Sequence, residues 1–333
     1  MKCNNDPVMM RWMKELYPTI GYDCASENEI ISALPIVKPT DIVYAQPCKR
    51  ASDIRVAQAR GVNLTVADSA EEVEKLAEGK WEGGILVRLL VDDGGSKQPF
   101  GSKFGAPICW LPKIYEVAKY HKLKLNGFSF HVGSECTQPV YYQKAIDSCY
   151  IGSKIAESYG FQTSIVDIGG GFLPNETSFI KSAEVINNAL QTKFPEIDKC
   201  IAEPGRFFAA PTHTLYTTVI GKKPMWDPSN PNKAGWRITI DESIYGSFSN
   251  IPFDKQEVVF EPVNPKRNIE GAPVFPTTIF GRTCDSGDTI LRNVLMPELN
   301  VGDLLRIDNM GAYTTVTASE FNGFPKTERI YQA

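Results

Sequence analysis

Apolar and polar positions follow two different rhythms along this chain. From about residue 20 to 210, short apolar runs are each followed by an amphipathic stretch. The runs at 20–24, 42–45, 64–67, 85–90, 127–131, 165–168 and 200–202 predict strands. The stretches at 27–34, 52–60, 70–77, 111–120, 140–159 and 179–194 predict helices. Ser69 sits where it can cap the third helix, with Glu72 three residues on, as in a capping box. Strand–helix alternation at this spacing predicts a parallel sheet with right-handed crossovers, and so many repeats favour a closed β/α barrel over an open sheet.

After about residue 210 helical periodicity fades. Strand-like pieces at 214–220, 236–240, 258–260, 277–280, 304–307 and 313–318 are separated by Pro, Gly and Asn. The expectation is an α/β region over 1–210 and a mostly antiparallel β domain over 211–333.

Composition narrows the function classes. The net charge of -4, without a long basic run, argues against nucleic acid or an anionic membrane as partner. The apolar runs are strand-sized, so no segment spans a bilayer. No charged leader with an apolar core opens the chain, which predicts no secretory signal. The eight cysteines are scattered without C-x-x-C pairs or zinc spacing, so the expectation is free thiols, no metal and a reducing, cytoplasmic compartment.

Barrel active sites form where strands end, and unusual residues sit at such ends. They are His131 in Phe-His-Val-Gly-Ser, Gly169–Gly171 in Asp-Ile-Gly-Gly-Gly-Phe, and Glu203 with Arg206 in Ala-Glu-Pro-Gly-Arg-Phe. Each has a plain explanation on its own. Three glycines make a flexible turn, a strand-end histidine is commonly a hydrogen-bonded structural group, and Glu-Pro-Gly-Arg suits a surface ion pair. Together they offer more. Glycine amides, Arg206 and the Ser134 hydroxyl can hold a phosphate, Glu203 is an acceptor and His131 a flat ring. That equipment suits an aromatic, phosphorylated cofactor.

Strings along the whole chain then carry a specific resemblance. They are Lys-Cys-Asn-Asn (2–5), Tyr-Asp-Cys-Ala-Ser (22–26), Lys-Phe-Gly-Ala (103–106), Phe-His-Val-Gly-Ser (130–134) and Asp-Ile-Gly-Gly-Gly-Phe (167–172). Further on come Ala-Glu-Pro-Gly-Arg-Phe (202–207), Tyr-Gly-Ser-Phe (245–248), Thr-Cys-Asp-Ser-Gly-Asp (283–288), Gly-Ala-Tyr-Thr (311–314) and Phe-Asn-Gly-Phe (321–324). In this order the chain resembles the ornithine decarboxylase family, the alanine-racemase-like barrel decarboxylases. The resemblance implies a (β/α)8-type TIM barrel followed by a β domain, with pyridoxal 5'-phosphate as cofactor. It implies that Lys2 joins the cofactor's aldehyde, which asks for a neutral amine. Glu203 would pair with the pyridine nitrogen and keep the ring protonated, so that it accepts electrons as carbon dioxide leaves. His131 would stack on the ring. Ser134, Gly170, Gly171, Arg206 and Tyr313 would hold the phosphate, with Asp23 and Arg88 near the lysine and ring edge.

By the same resemblance Cys284 reprotonates the α-carbon and comes from the partner of a head-to-tail homodimer, with Lys103 and Asp288 paired across that interface. Otherwise a cysteine is by default a small buried thiol. Asp254 and Asp285 match positions that bind the distal amine of ornithine; without the resemblance Asp254 reads equally well as a cap or turn residue. Relatives acting on diaminopimelate have Glu after the cysteine, and a viral arginine-specific relative has Glu at the position of Asp254. The implied reaction is ornithine to putrescine and carbon dioxide. Lysine, arginine or diaminopimelate on the same scaffold remains an alternative, as does a non-catalytic regulator like antizyme inhibitor. An antizyme-like protein is then a regulatory partner to expect.

The match has gaps. Family members carry several dozen residues before this lysine, including the first barrel strand and part of the β domain. The expectation is a sheet short of that strand, with two open edges and no strand to fix Lys2. Glu135 replaces a common Gly beside the phosphate site, where its charge could repel, and Phe253 replaces a common Tyr.

Overall fold

The computed structural model of the chain describes residues 1–225, 235–263 and 271–332. It divides into two compact units, Met1–Phe207 and Phe208–Ala333.

The first unit opens with a helix that the strand–helix rhythm did not predict, α1 (Pro7–Leu16). Its signals are local. The Asp6 carboxylate accepts from the N–H groups of Val8 and Met9 at 2.8 and 3.0 Å, and Pro7 takes the first position, where no donor is needed. Then follow β1 (Tyr22–Cys24), α2 (Glu27–Ala33), β2 (Ile42–Tyr44), α3 (Ala51–Ala59), β3 (Leu64–Ala67), α4 (Ala70–Glu78), β4 (Gly84–Arg88) and β5 (Ser96–Gln98). The unit continues with α5 (Leu111–Tyr120), β6 (Lys124–Ser129), β7 (Ser134–Cys136), α6 (Val140–Ser158), β8 (Ile165–Asp167), α7 (Glu176–Lys193), β9 (Lys199–Ile201) and the start of α8 (Gly205–Ala209).

Strands β1, β2, β3, β4, β6, β8 and β9 pair side by side in that order, every pair parallel. The sheet curls. Val43 on β2, Leu64 and Val66 on β3 and Leu86 on β4 share one apolar cluster with Ile165 of β8 and Ile201 of β9. Strands that far apart in the order can share a cluster only if the sheet bends round to enclose it, as a barrel interior does. The opposite face packs on the helices through residues such as Ile85, Val87, Phe128, Tyr142 and Ile146. Among the described residues β1 and β9 each have a single partner strand, so the sheet has the two edges expected of it.

Two local expectations change. Ser69 caps α4 by accepting from the Glu72 N–H at 3.1 Å, but the Glu72 carboxylate does not turn back to close a capping box. It is drawn instead to the buried Lys49 ammonium at 2.9 Å and to Lys75 at 2.6 Å. Burying Lys49 without a counter-charge would cost far more than a cap contributes. The antiparallel pair β5–β7, also unforeseen, flanks His131 in the chain, β5 before it and β7 after it, and fixes Ser134 opposite Gln98.

In the second unit, β10 (Leu215–Pro224), β11 (Trp236–Ile240), α9 (Asn250–Asp254), β12 (Glu261–Val263), β13 (Val274–Phe280), β14 (Thr289–Pro297) and β15 (Leu304–Ile307) follow in order. One sheet runs β12-β15-β10-β11-β13-β14 and is antiparallel except for β11 with β13. Residues 258–260 are not a strand; Val258 and Phe260 enter the core, with the Phe260 ring 5.5 Å from that of Phe248, and the strand begins at Glu261. Residues 313–318 are not a strand either. The Thr314 and Thr317 hydroxyls donate to the carbonyls of Met310 and Tyr313, four residues back, at 2.7 and 2.8 Å. Such local bonds compete with a ladder, although threonine-rich runs read as strands.

Candidate active site

The C-terminal ends of the parallel strands bring the first group of candidate residues together. Asp23 lies in β1, Arg88 ends β4, His131 follows β6, Asp167 ends β8, and Glu203 and Arg206 follow β9. Register holds these ends level, since Arg88 pairs with Ser129, Ser129 with Asp167, and Asp167 with Ile201. Lys2 reaches the same end. Its ammonium pairs with Asp23 Oδ2 at 2.6 Å, and a methyl placed on Gly205 would lie 3.1 Å from Cys3 Cβ. Among the described residues no strand precedes α1 to fix Lys2, but the ion pair with Asp23 and the close approach of Cys3 to Gly205 hold the segment.

Beside Glu203 the glycine triplet is folded for close approach. Gly169 and Gly171 have φ of 63° and 101°, which favour glycine. Gly169 O accepts from the Glu203 N–H at 2.8 Å, and Gly170 O accepts from the Tyr142 hydroxyl at 3.0 Å. A methyl on Gly170 would lie 2.8 Å from Glu203 O and 3.0 Å from His131 Nε2. The Arg206 guanidinium donates to Ser134 Oγ at 2.8 Å, so the two predicted phosphate ligands already touch. Glu135, the departure next to Ser134, has φ of 55°, and its carboxylate turns to Lys97 at 4.0 Å. The left-handed backbone explains why Gly is common there.

Burial sets the electrostatics. The His131 imidazole is pushed well below the usual histidine range by burial, then by the charges of Arg88 and Lys2. Its Nδ1 accepts from the Gly133 N–H at 3.1 Å, so the neutral ring carries its proton on Nε2. The Glu203 carboxyl is raised well above the carboxylate range by burial, then by Asp167 and Asp23. Its Oε1 is buried with no hydrogen-bond partner. Asp167 is raised to about 7 by burial and by Asp23, against the Gly169 N–H that favours its charged form. Arg88, drawn down by burial, lies 4.7 Å over the Phe104 ring.

The second unit holds the other candidates. Cys284 and Asp285 share the loop between β13 and β14. Asp288, expected to meet a lysine of another copy, is buried and pins this loop. It accepts from Ile244 N–H at 3.0 Å, Thr283 N–H at 3.1 Å and Thr283 Oγ1 at 2.6 Å. Asn322 Oδ1 accepts from the Cys284 N–H at 3.2 Å and faces its thiol at 3.4 Å. The Tyr245 hydroxyl donates to Asp285 Oδ2 at 2.6 Å, which with the Gly287 N–H holds that carboxylate below the usual range. Asp254 is buried at the end of α9, and Tyr313 stands in a turn with φ of 54°. Asp167, Tyr245 and Asn322 join the site through the structure rather than the sequence pattern. Their one signal was membership of the strings Asp-Ile-Gly-Gly-Gly-Phe, Tyr-Gly-Ser-Phe and Phe-Asn-Gly-Phe.

Residues 1–210 match the family model described as pyridoxal-dependent decarboxylase, pyridoxal binding domain. The chain belongs to the pyridoxal-dependent decarboxylases. Ornithine decarboxylase of Caenorhabditis elegans is 37% identical over 343 residues, covering 99% of this chain and 80% of the relative. Antizyme inhibitor 2 of Xenopus laevis is 36% identical over 342 residues, covering 99% and 74%. Among solved structures, the Paramecium bursaria Chlorella virus arginine decarboxylase bound to agmatine has a TM-score of 0.90 and 34% identity, covering 97% of this chain and 86% of that one.

Pyridoxal phosphate is the cofactor of this decarboxylase family, and the residues present fit it. The ring nitrogen needs an acceptor, and Glu203 Oε1 is a buried acceptor without a partner. The phosphate needs donors and room, and the cradle at Gly170 is one that a single methyl would fill. Among the described residues no helix is long and apolar enough to cross a membrane.

Proposed function

We propose that this decarboxylase converts L-ornithine to putrescine and carbon dioxide, a step of polyamine biosynthesis, as a cytoplasmic homodimer. The observation that carries the substrate choice is Asp285, held ionised beside Cys284 by the Tyr245 hydroxyl at 2.6 Å and the Gly287 N–H at 2.9 Å. A fixed carboxylate suits the distal ammonium of a diamino acid. Aspartate rather than glutamate at 254 and at 285 favours ornithine over arginine and diaminopimelate.

Bound pyridoxal phosphate supplies the electron sink for the bond that breaks when carbon dioxide leaves. The chain's residues do the rest. Arg206, Ser134 and the Gly170 and Gly171 amides hold the phosphate. Neutral His131 would offer the ring a flat, uncharged face. Glu203 accepts from the ring nitrogen. Lys2 supplies the amine that anchors the aldehyde, and Asp23 and Arg88 keep that end oriented. Asp254 binds the distal amine together with Asp285, which comes from the same second copy as Cys284. Cys284, from a second copy, returns a proton to the α-carbon, and Asn322 aims its thiol.

Release of labelled carbon dioxide from ornithine, lysine, arginine and diaminopimelate tests the substrate. Ornithine is expected to turn over fastest, and faster turnover of any other overturns the choice. The likeness to antizyme inhibitor 2 supports a second reading, a regulator that acts by binding. The purified protein is expected to show the visible band of bound cofactor, abolished by Lys2→Ala. A folded protein with no such band would favour the regulator.

A further inference from the structure

Two segments of the second unit meet at Cys284, and one arginine joins them. Arg282 stands two residues before Cys284, in the loop between β13 and β14. Its Nη2 donates to Pro325 O at 3.0 Å, three residues beyond Asn322. The guanidinium also lies 4.6 Å over the Phe324 ring, with Nη2 3.9 Å from Glu242 Oε1. The Arg282 backbone N–H donates to Glu242 O at 3.1 Å. Glu242 closes the assembly. It is buried, accepts from the Ser243 N–H at 2.8 Å and takes the Thr327 hydroxyl, which in turn meets Ser247 Oγ at 2.8 Å. A methyl on Gly246 would collide with the Glu242 carboxylate, so there is no slack on that side.

We propose that Arg282, braced by Glu242, is a positioning residue that holds the segment carrying Asn322 against the Cys284 loop, so that the thiol points where the α-carbon receives its proton. The proposal rests on the reading of Cys284 as the proton donor. Pro325 and Thr327 are the two fixed points of the segment, and Asn322 needs them. Its φ of 56° lies in the left-handed region, which a side chain keeps only where its surroundings enforce it. From there Asn322 Oδ1 reaches the Cys284 N–H and thiol. Stability alone does not account for the arginine. Its Nε is buried with no hydrogen-bond partner, and a methionine would cover Phe324 without that cost.

Asp285, on the same loop, has its own supports. The Tyr245 hydroxyl and the Gly287 N–H hold its carboxylate. Tyr245 touches the segment through Phe321 and Ser319, yet its own backbone N–H is held by Ser243 Oγ at 3.1 Å. Arg282 therefore bears on proton delivery more than on substrate binding. A lysine at 282 would present a single ammonium rather than a planar fork, so it would reach Pro325 O or Glu242 but not span both.

The test compares Arg282→Met with the wild-type holoenzyme. Its kcat for ornithine is expected to fall roughly tenfold, as misplacement of a reacting group does, while KM stays within about twofold. Arg282→Lys should recover part of kcat. Amide hydrogen exchange, measured with and without cofactor, should quicken in residues 320–327 and at Cys284 and stay unchanged in β10 and β15. Asn322→Gly keeps the left-handed backbone and removes the amide. Adding Arg282→Met to it should lower kcat no further, because both changes act through one contact. Unchanged exchange in 320–327, an unchanged kcat, or a double variant whose losses multiply would overturn the proposal. Quickened exchange throughout the β domain with a lowered thermal midpoint would reduce Arg282 to a structural role. Failure of the underlying reading looks different. Cys284→Ala would then keep the wild-type kcat, while the faster exchange of Arg282→Met in 320–327 remained.

Discussion

Gly170→Ala isolates the glycine cradle from the turn that carries it. Gly169 and Gly171 have positive φ, but Gly170 does not, so its backbone accepts alanine without strain. The perturbation is therefore steric alone. The new methyl would lie 2.8 Å from Glu203 O and 3.0 Å from His131 Nε2. Packed heavy atoms rest about 3.5–4.0 Å apart, so the group must clear roughly half an ångström or more against backbone. Overpacking of this kind typically costs about 1–3 kcal/mol. The strain moves Glu203 and His131, and the methyl also occupies space needed at the phosphate. At about 1.4 kcal/mol per tenfold, cofactor affinity should fall by roughly tenfold to a hundredfold. The assay is titration of cofactor-free protein with pyridoxal phosphate, followed by visible absorption, with circular dichroism and the thermal midpoint as folding controls. Gly302→Ala is the comparison. Its φ is 92° and nothing lies within 4 Å of a methyl there, so it should lower the midpoint and leave affinity unchanged. A folded Gly170→Ala protein that binds as tightly as wild type would refute the cradle and leave the triplet as a turn.

Three further predictions follow from the geometry. Tyr245→Phe removes the hydroxyl that holds Asp285, so the KM for ornithine should rise severalfold with little change in fold; an unchanged KM would separate Asp285 from substrate binding. Glu135→Gly relieves a left-handed backbone that costs about 1–2 kcal/mol outside glycine, against a loss of about 0.5–1 kcal/mol of glycine entropy. Urea unfolding should show a gain of roughly half a kcal/mol, and a loss would mean that the contact with Lys97 dominates. His131 is held neutral when folded, so below about pH 6.5 the unfolded chain binds the extra proton. Stability should decline as pH drops through that range, and His131→Phe should remove this part of the decline in pH-dependent unfolding.

The sequence by itself determined the elements whose cause is local. Leu64–Ala67, Leu111–Tyr120, Trp236–Ile240 and Leu304–Ile307 fall where their apolar pattern puts them, because side-chain period and flanking breakers act within a few residues. It also named the strand-end residues, since their strings are unusual. The tertiary structure decided how those residues are used. Glu72 looked like half of a capping box until a buried lysine from another loop claimed it. Residues 313–318 looked like a strand until hydroxyls found carbonyls four residues back. The bond between Arg206 and Ser134, and that between Cys284 and Asn322, join residues far apart in the chain. Charge and hydrogen bonding act through space at a few ångström, and burial multiplies their strength. Which partners come within that range is set by the curl of the first sheet and the loops of the second, and no run of neighbouring residues encodes it.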